Sequence, residues 1–194
     1  MRNALVPKND PFADNLRFWR ALIQRPKHVG AVAPSSRALA RAIAAEIDPG
    51  RAGNVLELGP GTGAITAELL ERIAPERLTV VEYEPDFARA IAARFPGVHV
   101  IQGDAFDLSS TLGPSQQERF AAIVSGIPLL NFPVAKRLAY VEALTARLLP
   151  GAPLIQFSYG MHAPSPAPAG HRATCAAHIW ANIPPARVWV YRKI

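Results

Sequence analysis

The stretch Glu57-Leu58-Gly59-Pro60-Gly61-Thr62-Gly63-Ala64 sets three glycines at alternate positions, directly after the strand-like run Asn54-Val55-Leu56. Glycine adopts backbone angles that other residues avoid, and its missing side chain lets another group come close. The residues that follow carry a helical stripe, with Ile65, Leu69 and Ile73 on one face. A glycine-rich turn between a strand and a helix is where an α/β sheet receives a ligand. The chain is therefore expected to build such a sheet around this turn.

The rest of the sequence keeps that alternation. Strands are predicted at Asn54–Leu58, Leu78–Glu82, Val98–Gln102, Ala121–Ser125, Leu154–Tyr159 and Arg187–Arg192, and helices at Ala64–Ile73, Pro85–Arg94 and Val134–Leu149. Pro85 suits a first helical turn, and Pro150-Gly151 ends the long helix. Met161–His171, rich in Pro and Ala without a period, reads as a loop. Strands separated by helices imply a doubly wound, mostly parallel α/β sheet with helices on both faces. With 194 residues and no linker or repeat, one ligand-binding domain is expected over 46–194, preceded by a helical extension over 1–45.

Composition narrows the setting. A lone Cys175 excludes a disulfide framework and a cysteine metal cluster, so no metal is expected. Pro7, Lys8, Asp10, Pro11 and Asp14 interrupt the region where a signal peptide would lie. No apolar run reaches the roughly 20 residues that a membrane-spanning helix requires. Residues 1–51 carry nine Lys/Arg against four Asp/Glu, residues 52–150 eight against eleven, and residues 151–194 four against none. A mildly acidic middle between basic ends suits a cationic or neutral ligand in the core and a polyanion at the flanks.

Gly59-x-Gly61-x-x-Ala64 satisfies the dinucleotide fingerprint, so a pyrophosphate-containing cofactor is one reading. Glu82, ending the second strand, suits a ribose diol in either case, because a carboxylate accepts two hydrogen bonds. Glu57 argues against the pyrophosphate: its charge is badly placed beside one anion and well placed beside an ammonium or sulfonium. Gly103-Asp104-Ala105 adds a carboxylate after the third strand, suited to an adenine amino group. Together, Glu57 to Gly63, Val81-Glu82-Tyr83-Glu84-Pro85 and Gly103-Asp104-Ala105 resemble the cofactor motifs of class I S-adenosylmethionine-dependent methyltransferases, in order and spacing, over residues 54–159. The resemblance implies S-adenosylmethionine as cofactor and S-adenosylhomocysteine as product. Gly59, Gly61 and Gly63 would approach the methionine part, with Glu57 near its amino group. Glu82 would hold the ribose, and Asp104 and Ala105 would border the adenine, with Tyr83 against its face or in the core.

The acceptor is sought in Ser125-Gly126-Ile127-Pro128-Leu129-Leu130-Asn131-Phe132-Pro133, after the fourth strand. Enzymes that methylate base amino groups show Asn or Asp, then Pro or Leu-Pro, then an aromatic that stacks the flipped base. Ser125 stands for the Asn or Asp and Leu129 for the aromatic, so the segment is greasy where a base reader is polar. In the extension, Phe12, Leu16, Trp19 and Ile23 form a helical stripe accompanied by Arg17, Arg20, Arg25 and Lys27. That pattern fits an interfacial membrane helix, or equally a helix packed on the sheet.

Arg25-Pro26-Lys27-His28-Val29-Gly30-Ala31-Val32-Ala33-Pro34-Ser35-Ser36-Arg37, Ser125-Gly126-Ile127-Pro128 and Pro184-Pro185-Ala186-Arg187-Val188-Trp189-Val190-Tyr191-Arg192 resemble the bacterial phospholipid N-methyltransferase family. That resemblance implies successive methylation of phosphatidylethanolamine to phosphatidylcholine by a cytoplasmic enzyme held peripherally on the inner membrane. Its partners would be a phospholipid substrate and an anionic membrane surface, with no stable nucleic acid. Tyr159 is then the first aromatic candidate for the amine, through cation–π attraction, and Ser125 a candidate acceptor of its hydrogen bond. Trp19 and Phe132 are weaker aromatic candidates, and Arg187 or Arg25 suits the lipid phosphate. The alternative is an rRNA adenine N6-methyltransferase, whose basic ends would bind phosphates.

Overall fold

Every residue of the first strand, β1 (Val55–Leu58), is buried, as is every residue of β2 (Leu78–Glu82) and β4 (Ala122–Ser125). A strand covered on both faces has no polar side to show, which is why these segments read as apolar runs rather than alternating ones. The computed structural model describes residues 36–113, 118–182 and 184–194. The amphipathic stretch Phe12–Ile23, with Trp19, and Arg25 lie outside the described residues.

Seven strands form one sheet in the order β3-β2-β1-β4-β5-β7-β6. β3 (His99–Gln102), β2, β1, β4 and β5 (Leu154–Ser158) run parallel. β7 (Ala186–Lys193) lies antiparallel to β5, and β6 (His171–Ile179) antiparallel to β7 at the edge. β6 therefore runs in the same direction as β5. The strand order reverses between β1 and β4, and the glycine turn sits at that switch point.

Helices cover both faces. α1 (Arg37–Ala45) starts at Ser36, whose side chain accepts from the Leu39 amide at 3.2 Å. With α2 (Ala64–Leu70) and α3 (Pro85–Arg94), it packs Leu39, Ile43, Ile65, Leu69 and Ile91 on Val55, Val80, Val124, Ile155 and Val188. A one-turn α4 (Leu108–Thr111) precedes β4, and α5 (Val134–Thr145) buries Tyr140, Val141 and Leu144.

The sequence places these elements closely but extends two helices too far. α2 stops at Leu70 and α5 at Thr145, because the next turns tighten: the Arg72 amide bonds Leu69 O, and the Arg147 amide Leu144 O, three residues back. Besides the one-turn α4, two elements were not anticipated. α1 falls inside the segment read as extension, yet the compact unit spans Ser35–Ile194 and α1 lies in its core. β6 has one half-buried face, with Ala177 and Ile179 against the core, but that face is made mostly of small or polar residues, so no apolar alternation marks it.

Ile43 is fully buried among the sheet residues. Replacing it with Ala should lower unfolding free energy by roughly 2–4 kcal/mol in urea melts. A loss below about 1 kcal/mol would mean that α1 is not part of this core.

Candidate active site

The glycine turn is held from both sides. The Gly59 amide donates to Val81 O at 2.9 Å, and the Gly126 amide, after β4, donates to Leu58 O at 2.8 Å. Gly59, Gly61 and Gly63 all have positive φ. At Gly63 an added Cβ would lie 2.6 Å from Ile91 Cδ1, whereas at Gly61 it would meet nothing within 4 Å. Gly63 is thus glycine for packing, while Gly61 faces open space. The backbone of this turn is presented to a ligand rather than to the core.

Glu57 lies beneath the turn and is 1 % exposed. Thr66 Oγ1, on α2, donates to its Oε2 at 2.7 Å, and Oε1 is buried with no partner. An unpaired buried carboxylate oxygen is costly unless the group is protonated or a cation arrives. Burial pushes the Glu57 carboxyl up to about 8, with the Thr66 bond opposing and the charge of Glu82 adding.

Glu82, also buried, accepts from the Gly61 amide at 3.1 Å through Oε2 and from the Glu84 amide at 2.9 Å through Oε1. Burial raises its carboxyl too, while those backbone amides oppose the rise. It braces the turn and keeps lone pairs for a further donor. Asp104 is partly exposed; its Oδ1 accepts from the Phe106 amide at 2.8 Å, and its own amide donates to Thr111 Oγ1 at 3.0 Å. Ala105 is buried beside it. Tyr83 is 47 % exposed, so of the two expectations for it the core-facing one fails.

The acceptor candidates are split between the sheet faces. Tyr159, past the end of β5, packs on the α1 side, edge-on to Phe157 with centroids 5.8 Å apart, and is hydrogen-bonded to Asn182. Ser125 points the other way, to α5: it is 0 % exposed, and its hydroxyl pairs with Tyr140 OH at 3.1 Å. The structure does not bring Tyr159 and Ser125 together, because their side chains leave opposite faces. Phe132 is likewise buried, tilted against Phe106 with centroids 5.1 Å apart and under the Lys136 ammonium. Arg187 pairs in register with Ser158 and donates through Nη1 to Gly160 O at 2.9 Å, at the C-terminal end of β5. Trp19 and Arg25 lie outside the described residues.

Sequence reasoning missed three contributors. Thr66 is signalled only by its position three residues past Gly63. Gln156 donates to Ile127 O at 2.6 Å and fixes the segment after β4. Gly126 has its backbone so close to the turn that a Cβ would lie 2.5 Å from Gly59 O. A glycine after a strand signals such an approach, but not its partner.

This architecture matches solved methyltransferases. The N-methyltransferase NodS from Bradyrhizobium japonicum, in complex with S-adenosylhomocysteine, aligns with TM-score 0.63 at 16% identity, over 92% of this chain and 97% of that one. DhpI, in complex with SAM and HEP, aligns with TM-score 0.60 at 18% identity, over 97% of this chain and 84% of that one. The chain has the class I methyltransferase fold. The family model described as ribosomal RNA adenine dimethylase matches residues 35–129, slightly under half of the chain. The ornithine lipid N-methyltransferase of Singulisphaera acidiphila is 38% identical over 109 residues, 54% of this chain and 57% of that protein. The ribosomal RNA small subunit methyltransferase A of Chlorobium limicola is 38% identical over 88 residues, 44% of this chain and 31% of that protein. The chain thus matches only part of the length of each curated relative.

The raised Glu57 carboxyl has a consequence for stability. The folded group titrates near 8 and its ordinary value is 4.5, so the folded state holds the proton across that window and stability falls as pH rises through it. Glu57→Gln, which keeps the shape without the charge, should remove much of that slope. At about pH 8.5 it should exceed the wild type by roughly 1–4 kcal/mol in urea melts, with little difference near pH 4.5. Parallel pH profiles would contradict the assignment.

Proposed function

We propose that this protein is an S-adenosylmethionine-dependent N-methyltransferase acting on the headgroup amine of phosphatidylethanolamine and its methylated intermediates. The observation that carries the cofactor is the buried Glu57 Oε1 without a partner, under an open glycine turn. When bound, S-adenosylmethionine supplies an electrophilic methyl group on a sulfonium. Glu57 gives up its proton and holds the amino group. Glu82 takes the ribose hydroxyls with the lone pairs that the Gly61 and Glu84 amides leave. Asp104 takes the adenine amino group, and Tyr83 offers its ring at the surface.

The lipid reading rests on the segment after β4. Counted back from Pro128 in the Leu-Pro form of the base-reading motif, the amide-bearing position is Gly126, where Gly59 O leaves no room for any Cβ. One residue earlier, the Ser125 hydroxyl is engaged by Tyr140 and serves the loop rather than the amine. Leu129, in the aromatic's place, is buried. No base-reading side chain fits here, while an apolar, partly exposed segment suits acyl chains. A relative named for N-methylation of an amine-bearing lipid supports the same acceptor class.

The positioning demand is modest. An amine beside a sulfonium in a greasy cleft loses its proton more easily, so alignment outweighs a dedicated base. Tyr159 is the aromatic side chain offered to the increasingly methylated cation, and Arg187 the guanidinium for the phosphate. The second reading, rRNA adenine N6-methylation, is favoured by the family model over residues 35–129. That match covers the cofactor half and ends within the acceptor segment.

Labelled S-adenosylmethionine, offered separately with phosphatidylethanolamine in anionic vesicles and with undermethylated ribosomal RNA, separates the readings. Label is expected in the lipid. Tyr159→Ala should lower kcat about three- to thirtyfold while leaving cofactor Kd nearly unchanged. Label in the RNA alone would overturn the lipid assignment.

A further inference from the structure

The middle of β5 carries an amide of which only one end is used. Ile155 and Phe157 lean on the α1 side of the sheet, so Gln156 between them leaves the α5 side. It pairs in register with Ser125 of β4 and with Trp189 of β7, whose neighbours Val188 and Val190 face α1. Gln156 is 1 % exposed. Burying an amide there is costly unless its donor and its acceptor both find partners. Nε2 donates to Ile127 O at 2.6 Å, two residues past the end of β4. Oε1 is buried and has no hydrogen-bond partner among the described residues. The amide cannot be turned round, because its oxygen would then face the Ile127 carbonyl oxygen.

The polar groups on the same face are engaged with one another. The Ser125 hydroxyl pairs with Tyr140 OH at 3.1 Å. Trp189 Nε1 donates to Ser158 Oγ at 3.1 Å, and Ser158 Oγ donates in turn to His162 O at 3.3 Å. Holding the Ile127 carbonyl requires only a donor, so the buried oxygen of Gln156 adds cost and nothing to that bond. Its place gives it a use. Ile127 Cδ1 would lie 2.9 Å from a Cβ on Gly59, so the amide stands behind the residue that covers the glycine turn. A buried acceptor in such a place calls for an N–H or O–H that arrives with a ligand.

We propose that Gln156 Oε1 accepts a hydrogen bond from the amine to be methylated, and so favours amines that still carry an N–H. This role rests on the lipid reading of the function. The ammonium first releases one proton to water, since a neutral amide is too weak a base to take it. The nitrogen lone pair then forms the N–C bond, the C–S bond breaks, and its electron pair stays on sulfur as a neutral thioether. At the moment of attack phosphatidylethanolamine carries two N–H groups, its monomethyl derivative one and its dimethyl derivative none. Oε1 therefore orients the nitrogen in the first two transfers. In the third it can hold only the unreactive ammonium.

The test measures single-turnover rates of the full chain with S-adenosylmethionine. Anionic vesicles hold phosphatidylethanolamine, its N-methyl derivative or its N,N-dimethyl derivative, each offered alone. Gln156→Met keeps the length and removes the amide, so a loosened Ile127 segment slows all three transfers by a common factor. Beyond that factor, the first two transfers should lose about tenfold relative to the third, the share of one hydrogen bond. Melting temperature and cofactor Kd report the common factor separately. Should that variant not fold, Gln156→Asn, which keeps the amide but draws its oxygen back by one carbon, should show the same excess loss. Equal losses on all three lipids would overturn the role and leave Gln156 a brace for Ile127, with the lipid function standing. A wild type that labels none of the three lipids would reject the lipid reading and this role with it.

Discussion

Two backbone turns meet at the switch point of the sheet with no space for a side chain between them. The turn after β1 and the segment after β4 are joined by the Gly126 amide on Leu58 O, and the Gly126 Cα faces Gly59 O at a distance that excludes even a methyl. Ile127 closes over Gly59, and Gln156 pins the Ile127 carbonyl from β5. The glycine turn and the segment after β4 are therefore one rigid piece. Backbone contacts of this kind place reacting groups without relying on flexible side chains, which is what a reaction governed by alignment requires. The same closeness removes the position from which an amide could read a base.

Electrostatics supply the other half of the site. Glu57 and Glu82 lie under one turn, both raised by burial, and the charge of Glu82 makes Glu57 harder still to ionise. Thr66 and the backbone amides of the turn offset part of that cost. A cation arriving at Glu57 Oε1 removes the rest, so the fold holds a strained acid pair that a positively charged ligand relieves. A dinucleotide pyrophosphate would meet the opposite field at the same place.

Much of this was legible in the sequence, for physical reasons. Strands buried on both faces must be apolar throughout, so β1, β2, β4 and β5 stood out between helical stripes. Glu57, Glu82 and Asp104 stood out because each lies at or just beyond the C-terminal end of a strand of such a sheet. The faces were harder to read. Tyr159 and Ser125 seemed compatible partners in the chain, yet strand parity sends one towards α1 and the other towards α5. β6 gave no signal because its half-buried face is filled by His171, Ala173 and Ala177, with Ile179 the one large apolar residue, so no apolar alternation shows. Thr66 and Gln156 act through distances set only when α2 and β5 pack, so no local pattern announces them. α1 did carry a signal, a Ser36 cap before Leu39, Ile43 and Ile47, that was absorbed into the basic extension.

The central claim is that Glu57, protonated beneath the glycine turn, becomes the counterion of the cofactor's amino group. Calorimetric titration of S-adenosylmethionine in buffers of different ionisation enthalpy near pH 7 measures it directly. The account predicts release of about one proton per cofactor bound, falling away above about pH 9 and absent in Glu57→Gln. Tight binding with the same heat in every buffer would contradict it.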